Sequence, residues 1–303
     1  MRIIFLGTSG GIPTPRRSLP SLCMIRDGEM ILFDCGEGTQ MRLMRKATGF
    51  ARLSKIFITH IHGDHLAGLP GLIMTLNLLG HESPITIWGP PEIGPFMKSL
   101  ERDIKLRCNF PLQVKIIKPG VFHTEADYHM EAVPLEHSAP CWGLALQEKP
   151  RPGRFHLERA MELGVPEGPL FGQLQNGNPV TLDGGRQVSP AQVLGPARAG
   201  RRFVYVTDTL YQPGLVSFCR GADLLVHEAM FAQDMEQEAR ERKHCTAAQA
   251  AELARSAQVR RLALTHISAR YADASILEAE ARAVFPHTVV ARDLMEIEVP
   301  YAD

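Results

Sequence analysis

The feature that most constrains this chain is the run THIHGDH at residues 59–65, which follows a short apolar segment. Residues two apart on an extended segment point the same way, so His60 and His62 can bind one metal together. The glycine that follows permits a sharp turn, after which Asp64 and His65 point towards a second metal. Imidazole and carboxylate groups are the usual ligands of a hydrolytic zinc ion. The run therefore predicts a hydrolytic site with two metals, most simply two zinc ions, at the end of a strand.

Further ligands are needed, because two metals require more than four protein donors. His137 follows the strand-like MEAVPLE, Asp208 follows RFVYVT and His266 follows RLALT. Each of these residues alone is more often structural than a ligand. Together they complete two coordination spheres if the loops at several strand ends share one edge of the fold.

Short β-rich runs alternate with helical patterns in the first 145 residues and again from residue 202 to the end. We predict helices at about 38–47, 66–79, 92–101, 230–242, 246–256 and 274–284. Thr246 can cap the helix that begins at Ala247. This order predicts an α/β layered fold in which two αβ halves lie face to face.

The segment from about 148 to 200 differs, because it is rich in Pro and Gly and has little apolar periodicity. A stretch of this kind inside an enzyme is usually a functional protrusion or a linker, although a solvated insertion without a role stays open. The whole chain has 33 Lys and Arg against 33 Asp and Glu. Proteins that coat nucleic acid are usually basic overall, so any role on RNA must depend on a local patch.

The six cysteines are scattered, and none forms a C-x-x-C pair. The opening MRIIFLGTSG passes from an apolar strand into a Gly-rich turn, unlike a signal peptide. No run reaches the roughly 18 apolar residues of a membrane span. We therefore expect a cytoplasmic protein with free thiols and no membrane partner.

Eight segments in order along nearly the whole chain resemble the tRNase Z (ribonuclease Z) family of the metallo-β-lactamase superfamily. They are FLGTSGGIPTPRRS, FDCGEGTQ, FITHIHGDHLAGLPGL, LEHSAPCWG, VYVTDT, LLVHEAMF, KHCTAAQAAELA and LTHISARY. The resemblance implies one domain over residues 1–303 with the metallo-β-lactamase fold, a four-layer αββα sandwich. It also implies that residues 148–200 form an inserted, flexible arm that binds tRNA.

The resemblance further assigns the metal ligands of a site with two zinc ions per subunit. The first ion is bound by His60, His62 and His137, the second by Asp64, His65 and His266, and Asp208 bridges the two. Asp34 is expected to orient the metal-binding loop without binding metal itself, because metal-binding histidines need hydrogen-bond partners that fix their orientation. A simple helix N-cap before GEGTQ is an alternative for Asp34.

The same resemblance implies the chemistry. Asp64 acts as general base as well as ligand, and Glu228 with His244 delivers a proton to the leaving 3′ oxygen, since a carboxylate raises the pKa of a nearby imidazole. Ser268 and Arg270 are expected to hold the phosphate, because a guanidinium forks over two oxygens. A structural ion pair is the alternative for Arg270.

The implied reaction is zinc-dependent endonucleolytic removal of the 3′ trailer from precursor tRNA, which leaves a 3′-hydroxyl on the tRNA. Gly168 and Pro169 match the Gly-Pro motif of the family's arm. The segment QLQNG lacks the lysines that are often found there in the family. Arg151, Arg154 and Arg159 must therefore contribute more of the tRNA binding. Arg17, in a loop that also departs from the family, is expected at the acceptor end. Family members of this length are usually homodimers.

Three other functions are possible alternatives for a chain with these residues. A zinc phosphodiesterase acting on other RNA, including as a 3′ exonuclease, or on small phosphodiesters is the main alternative. A redox diiron protein on the same fold would favour carboxylates in place of some histidines. A non-enzymatic RNA-binding module would not need all seven ligands.

Overall fold

The computed structural model describes residues 1–302. Within them the strands are, in chain order, β1 (Arg2–Gly7), β2 (Ser9–Gly10), β3 (Ser21–Arg26), β4 (Glu29–Phe33), β5 (Leu53–Phe57), β6 (Ile85–Gly89), β7 (Leu112–Ile116), β8 (Gly120–Thr124), β9 (Tyr128–Leu135), β10 (Cys141–Glu148), β11 (Val180–Thr181), β12 (Gln187–Val188), β13 (Arg202–Val206), β14 (Leu224–Glu228), β15 (Leu262–Thr265), β16 (Ile267–Ser268), β17 (Thr288–Val290) and β18 (Glu296–Glu298). The α-helices are α1 (Thr39–Lys46), α2 (Gly63–Leu66), α3 (Leu69–Leu78), α4 (Ile93–Asp103), α5 (Leu157–Glu162), α6 (Pro169–Gln175), α7 (Val216–Cys219), α8 (Glu236–Glu241), α9 (Ala247–Ser256) and α10 (Ser275–Val284).

Two large sheets form the centre of the fold. Their strand orders are β18-β1-β3-β4-β5-β6-β7 and β17-β15-β14-β13-β10-β9-β8. The strands β4, β5, β6 and β7 run parallel, and so do β13, β14, β15 and β17. The carboxyl ends of neighbouring parallel strands meet at one edge of a sheet, which is where such folds place their sites.

The core between the sheets is aromatic. Phe33 of β4 lies 5.5 Å from Phe57 of β5 and 5.3 Å from Phe203 of β13, measured between ring centroids. Tyr205 of β13 meets Phe33 edge to face. Each fully buried aromatic side chain of this kind contributes roughly 1.5–3 kcal/mol by leaving water. The two sheets are therefore joined face to face by side chains from both.

Helices cover the two outer faces. Leu43 of α1, with Leu72 and Ile73 of α3, packs on the first sheet, and Ile93 of α4 completes that cluster. Ala250, Ala251 and Ala254 of α9, with Leu277 and Ala281 of α10, pack on the second sheet. The small alanines allow α9 to lie close to the strands. The result is the predicted four-layer αββα sandwich.

Two of the predicted helices have different bounds. The segment 66–79 is not one helix, because α2 ends at Leu66 and α3 begins at Leu69. The helical segment is interrupted at Gly68. Gly68 lies so close to the backbone of Gly36 that a Cβ there would be 2.1 Å from the Gly36 carbonyl oxygen. The prediction 230–242 begins too early, since a 3-10 turn at Gln233–Met235 precedes α8. Thr246 caps α9 as predicted, accepting a hydrogen bond from the Gln249 amide.

The chain divides into two compact units. The first contains Met1–Leu146 and Arg202–Pro300, and the second contains Gln147–Arg201 with residues 301 and 302. The second unit holds α5, α6 and the β11–β12 hairpin around a small apolar cluster that includes Ala160, Leu174 and Val188. Its helices were not predicted, because they are too short to give a periodic pattern. No helix in residues 1–302 is long and apolar enough to cross a membrane.

Candidate metal centre and active site

Loops at the carboxyl ends of strands from both sheets bring the predicted ligands together. His60 and His62 follow β5, and Asp64 and His65 lie on α2 directly after them. The remaining ligands follow strands β9, β13 and β15; they are His137, Asp208 and His266. Their donor atoms fall into two clusters, one with His60, His62, His137 and Asp208 and one with Asp64, His65 and His266.

The first cluster has the spacing of a metal site. The His62 Nδ1 atom lies 3.1 Å from His60 Nε2 and 3.2 Å from His137 Nε2. Asp208 Oδ2 lies 3.8 Å from His60 Nε2 and 3.6 Å from His137 Nε2. Ligand atoms around a tetrahedral zinc, with bonds of about 2.0–2.1 Å, are separated by about 3.3 Å. These residues therefore fit a zinc ion.

The second cluster fits equally well. His65 Nε2 lies 3.4 Å from His266 Nε2, and Asp208 Oδ1 lies 3.3 Å and 3.2 Å from these two atoms. Asp64 Oδ2 lies 3.6 Å from His65 Nε2 and 3.5 Å from His266 Nε2. Asp208 thus turns one carboxylate oxygen to each cluster, which is the arrangement that a bridging ligand requires.

The electrostatics of the clusters suit a bound cation. Burial opposes the charge of the Asp64 and Asp208 carboxylates, but His266 and His65 more than offset it and hold the pKa of both carboxyls below the usual range. Burial, with His65 close by, lowers the pKa of His60 to about 2, so its imidazole is neutral. Burial opposes the charge of His65, but Asp208 and Asp34 outweigh it and raise its pKa, so His65 would lose a proton when metal binds. Anionic carboxylates and neutral imidazoles are the protonation states that bind metal.

Asp34 lies behind the second cluster. It is fully buried, and its Oδ2 is 2.8 Å from His65 Nδ1 and accepts a 3.0 Å hydrogen bond from the Tyr205 hydroxyl. Its Oδ1 accepts from the amide and hydroxyl of Thr59 at 2.8 and 2.9 Å. The alternative of a helix N-cap is wrong, because α1 begins at Thr39 after Gly38 and has no side-chain cap.

The other ligand histidines differ in what their second ring nitrogen contacts. His137 Nδ1 lies 3.2 Å from the carbonyl oxygen of Lys243, and His62 Nε2 lies 3.4 Å from the Ser138 hydroxyl. His266 Nδ1 is buried without a hydrogen-bond partner in residues 1–302. A Cβ at Gly10 would lie 2.6 Å from that nitrogen, so the opening Gly-rich turn needs a glycine where it passes the ring.

Glu228 and His244 form a pair beside the clusters. Glu228 ends β14, is fully buried, and places Oε1 2.8 Å from His244 Nδ1. The amide of Thr209 donates to the same oxygen at 2.9 Å. Burial works to lower the pKa of His244, but the Glu228 carboxylate outweighs it and raises that pKa to about 9. The His244 ring lies 5.1 Å from that of His137, so it borders the metal centre.

The predicted phosphate-binding residues are arranged differently. Ser268 lies on β16, which pairs with the Gly-rich turn at β2. The Arg270 guanidinium pairs with Glu238 at 2.9 Å and lies over the Phe231 ring. Arg270 thus has the ion pair that was its structural alternative.

Arg17 also turns inward. Its Nη1 donates to the Thr8 hydroxyl at 2.7 Å and to the Ala291 carbonyl at 2.6 Å. In this conformation the Arg17 guanidinium stabilises the loop that carries it. Gly168 and Pro169 lie in the second unit, at the start of α6, where Gly168 has a φ of 133° that favours glycine.

A cavity of about 390 Å³ opens over the clusters. Besides predicted residues it is lined by Gly11, Ser138, Met230, Glu241, Arg242 and Lys243. Lys243 is not among the residues predicted from the sequence, although its position next to His244 was a usable signal. Gly11 also has a direct role, since its amide donates to Asp64 Oδ2 at 2.9 Å.

Known proteins match this chain along its whole length. The family model described as Anti-Pycsar protein Apyc1 matches residues 1–149, and the model described as the beta-lactamase superfamily domain matches residues 175–267. The Ribonuclease Z of Methanosarcina acetivorans is 45% identical, and that of Methanosarcina mazei is 46% identical, each over 99% of both chains. The solved structure of human tRNase Z, short form, is 27% identical, covers 99% of this chain and 100% of its own, and superposes with a TM-score of 0.73. The chain has the metallo-β-lactamase fold and is an enzyme that belongs to the ribonuclease Z family.

Proposed function

We propose that this enzyme is a zinc-dependent endoribonuclease that removes the 3′ trailer from tRNA precursors and leaves a 3′-hydroxyl on the tRNA. The observation that carries the proposal is the pair of ligand clusters that share Asp208, with the Glu228–His244 pair beside them. In a ribonuclease Z family member, this combination supports cleavage of a phosphodiester by water.

The proposed ligands are those of the two clusters, and two zinc ions are the proposed content. Zinc bound there would supply Lewis-acid polarisation of the phosphoryl oxygens and would lower the pKa of water. Asp64 adds a fixed carboxylate at this position, oriented by the Gly11 amide at 2.9 Å. We assign Asp64 the task of accepting the proton of the attacking water, because its carboxylate lies in the second cluster and lines the cavity over the clusters.

The leaving 3′ oxygen needs a proton when the bond to phosphorus breaks. His244 is the proposed donor, since its ring borders the clusters and its Nδ1 is fixed by Glu228 at 2.8 Å. This contact leaves Nε2 as the nitrogen available to the substrate. The buried Glu228 carboxylate keeps the imidazole charged, so a proton is at hand near neutral pH.

The second unit is the proposed arm that binds the tRNA. Gly168 and Pro169 would present the start of α6 to the RNA, and Arg154 and Arg159 would contact phosphates. Among the described residues, Arg159 pairs with the exposed Glu162, at 3.1 Å. Exposed ion pairs contribute about 0–1 kcal/mol, so this guanidinium can exchange its partner for a phosphate. A homodimer and a cytoplasmic location stay predictions from the family resemblance, as do the substrate contacts of Ser268, Arg270 and Arg17.

The test is to incubate the purified protein with a 3′-extended precursor tRNA, with and without an encoded CCA, and to map both new ends. We expect one cut next to the discriminator base, a 3′-hydroxyl on the tRNA, and two zinc ions per chain by elemental analysis. A Glu228→Gln variant should cut at the same place but slowly. Hydrolysis of small phosphodiesters without cleavage of the precursor, or a ladder of shortened 3′ ends, would favour the broader phosphodiesterase instead.

A further inference from the structure

We propose that the ammonium group of Lys243 binds the phosphate that is cleaved. The proposal rests on the proposed function, since it takes an RNA phosphodiester as the substrate. Lys243 lines the same cavity as Asp64, Asp208 and His244. In this position the Lys243 ammonium group would attract the non-bridging oxygens of a phosphodiester monoanion.

The other cations near the cavity each have a carboxylate partner, which a substrate phosphate would have to displace. Arg242 pairs with Glu238 at 3.0 Å, and Arg270 pairs with the same Glu238 oxygen at 2.9 Å. No Asp or Glu carboxylate in residues 1–302 lies within ion-pair distance of the Lys243 ammonium group. Its Nζ donates only a long hydrogen bond, of 3.4 Å, to the carbonyl oxygen of His137. A phosphate oxygen can replace that bond at little loss.

The backbone holds Lys243 in place beside the first cluster. The Lys243 amide donates to the Arg240 carbonyl at 3.1 Å, and the next amide, of His244, donates to Ala239 at 2.8 Å. This pattern ends helix α8 with Lys243 at a φ of 57°, a position that usually belongs to glycine. The Lys243 carbonyl oxygen also lies 3.2 Å from His137 Nδ1. The side chain therefore starts from a point fixed to a proposed metal ligand.

Charge gives the reason for a cation here. The cavity is lined by the carboxylates of Asp64, Asp208 and Glu241, and the whole protein has a formal net charge of zero. The zinc ions of the proposed function would offset the charge of Asp64 and Asp208. Glu241 would still repel an approaching phosphodiester, and the bulk charge gives no attraction. A donor fixed next to the reacting phosphorus stabilises charge that grows in the transition state. Lys243 supplies this donor on the side of His137, opposite in charge to the lining acids.

The test compares Lys243→Met, which removes the charge and keeps the length of the side chain, with Lys243→Arg, which keeps the charge. Lys98→Met, on the exposed side of α4, is the matched control. The substrates are precursor tRNA and bis(p-nitrophenyl) phosphate, whose single phosphate can occupy only the cleavage position. We expect Lys243→Met to lower kcat/KM by about tenfold on both substrates, as for loss of a hydrogen bond to a charged group. The salt dependence of precursor binding should lose about one unit of slope, and Lys243→Arg should recover most of the loss.

Zinc content and Tm are measured on every variant, because Lys243 also touches His137 through its backbone. Unchanged zinc and Tm with reduced kcat/KM support the proposal. Activity equal to that of Lys98→Met overturns it, and so does a loss confined to precursor tRNA, which would place the contact on another phosphate. Loss of zinc in Lys243→Met would also overturn it, since the residue would then act through His137. If the parent protein hydrolyses the small diester but not the precursor, the proposed function fails, while the Lys243 comparison can still be read.

Discussion

Replacing Asp34 by asparagine should weaken the second metal site while the fold stays intact. The carboxylate accepts hydrogen bonds from Thr59, Tyr205 and His65. An asparagine of the same shape can keep its carbonyl oxygen towards Thr59. Its NH2 group then faces the Tyr205 hydroxyl and His65 Nδ1. To accept from that NH2, His65 must move its proton to Nε2, which is the atom that belongs to the metal cluster.

The expected size of the effect follows from this change of tautomer. Loss of a carboxylate behind a ligand histidine typically lowers metal affinity about 10–100-fold. This corresponds to about 1.4–2.7 kcal/mol. The first cluster should lose much less, because His60, His62 and His137 make no direct hydrogen bond to Asp34 among the described contacts. The two zinc ions of the variant should therefore differ in affinity more than those of the parent protein.

The assay is zinc transfer to a chromophoric chelator, followed as two separate release steps. Glu131→Gln serves as the control, since Glu131 is a part-buried carboxylate on β9 that pairs with Arg202 and His129 away from the clusters. We expect the weaker step of Asp34→Asn to shift by about 10–100-fold and the control to match the parent. Equal affinities for parent and Asp34→Asn would refute the tautomer argument, and equal losses at both steps would point to general damage.

Three other changes test different parts of the molecule. Asp64→Ala should lower single-turnover cleavage by at least about 100-fold, because it removes a ligand and a general base; full turnover would contradict the assignment. Deletion of residues 150–195 should greatly weaken binding to precursor tRNA while sparing hydrolysis of a small phosphodiester, and equal loss of both would count against the arm. Tyr301→Ala should destabilise the second unit by about 1–2 kcal/mol, because the ring lies 3.4 Å from the Arg151 guanidinium carbon and 3.9 Å from that of Arg201. Hydrogen exchange in residues 147–201 should quicken in that variant. Tyr301→Phe keeps the ring but loses the hydrogen bond that the hydroxyl accepts from Arg201 at 3.1 Å, so its exchange should lie between those of the parent and Tyr301→Ala; unchanged exchange in both would show that the ring contributes nothing.

The ligand clusters were accessible from the sequence because the ligands stand in a regular relation to strands. His137, Asp208 and His266 each follow a β-rich run within two residues of its observed end. The parallel strands β13 and β15 bring Asp208 and His266 to one edge, whereas β9, which precedes His137, pairs antiparallel with β8. The four-layer fold followed from the same alternation of strands and helices together with the family resemblance.

Side-chain partners that are distant in sequence were not accessible. Nothing near Arg270 signals that its guanidinium will pair with Glu238, because α8 reaches it only through the tertiary fold. Arg17 likewise turns to Thr8 and the Ala291 carbonyl, the second of which lies at the far end of the chain. An arginine in a loop reads as an exposed phosphate ligand until its neighbours are known.

The backbone conformation of the centre could not be predicted from the sequence, although Asp34 and His266 were themselves predicted to lie there. Asp34, Lys243 and His266 all have a positive φ, of 58°, 57° and 56°, which side chains other than glycine avoid. The left-handed conformation costs roughly 1–2 kcal/mol for each such residue, and no local sequence rule predicts it for Asp, Lys or His in these runs. Asp34 contacts the ligand His65, and the Lys243 carbonyl contacts the ligand His137. His266 is itself a ligand. Strain of this kind is held in place by surrounding structure and collects at functional sites. Residue types thus placed Asp34 and His266 at the centre, but the left-handed backbone that orients them, like that of Lys243, is set by the tertiary fold.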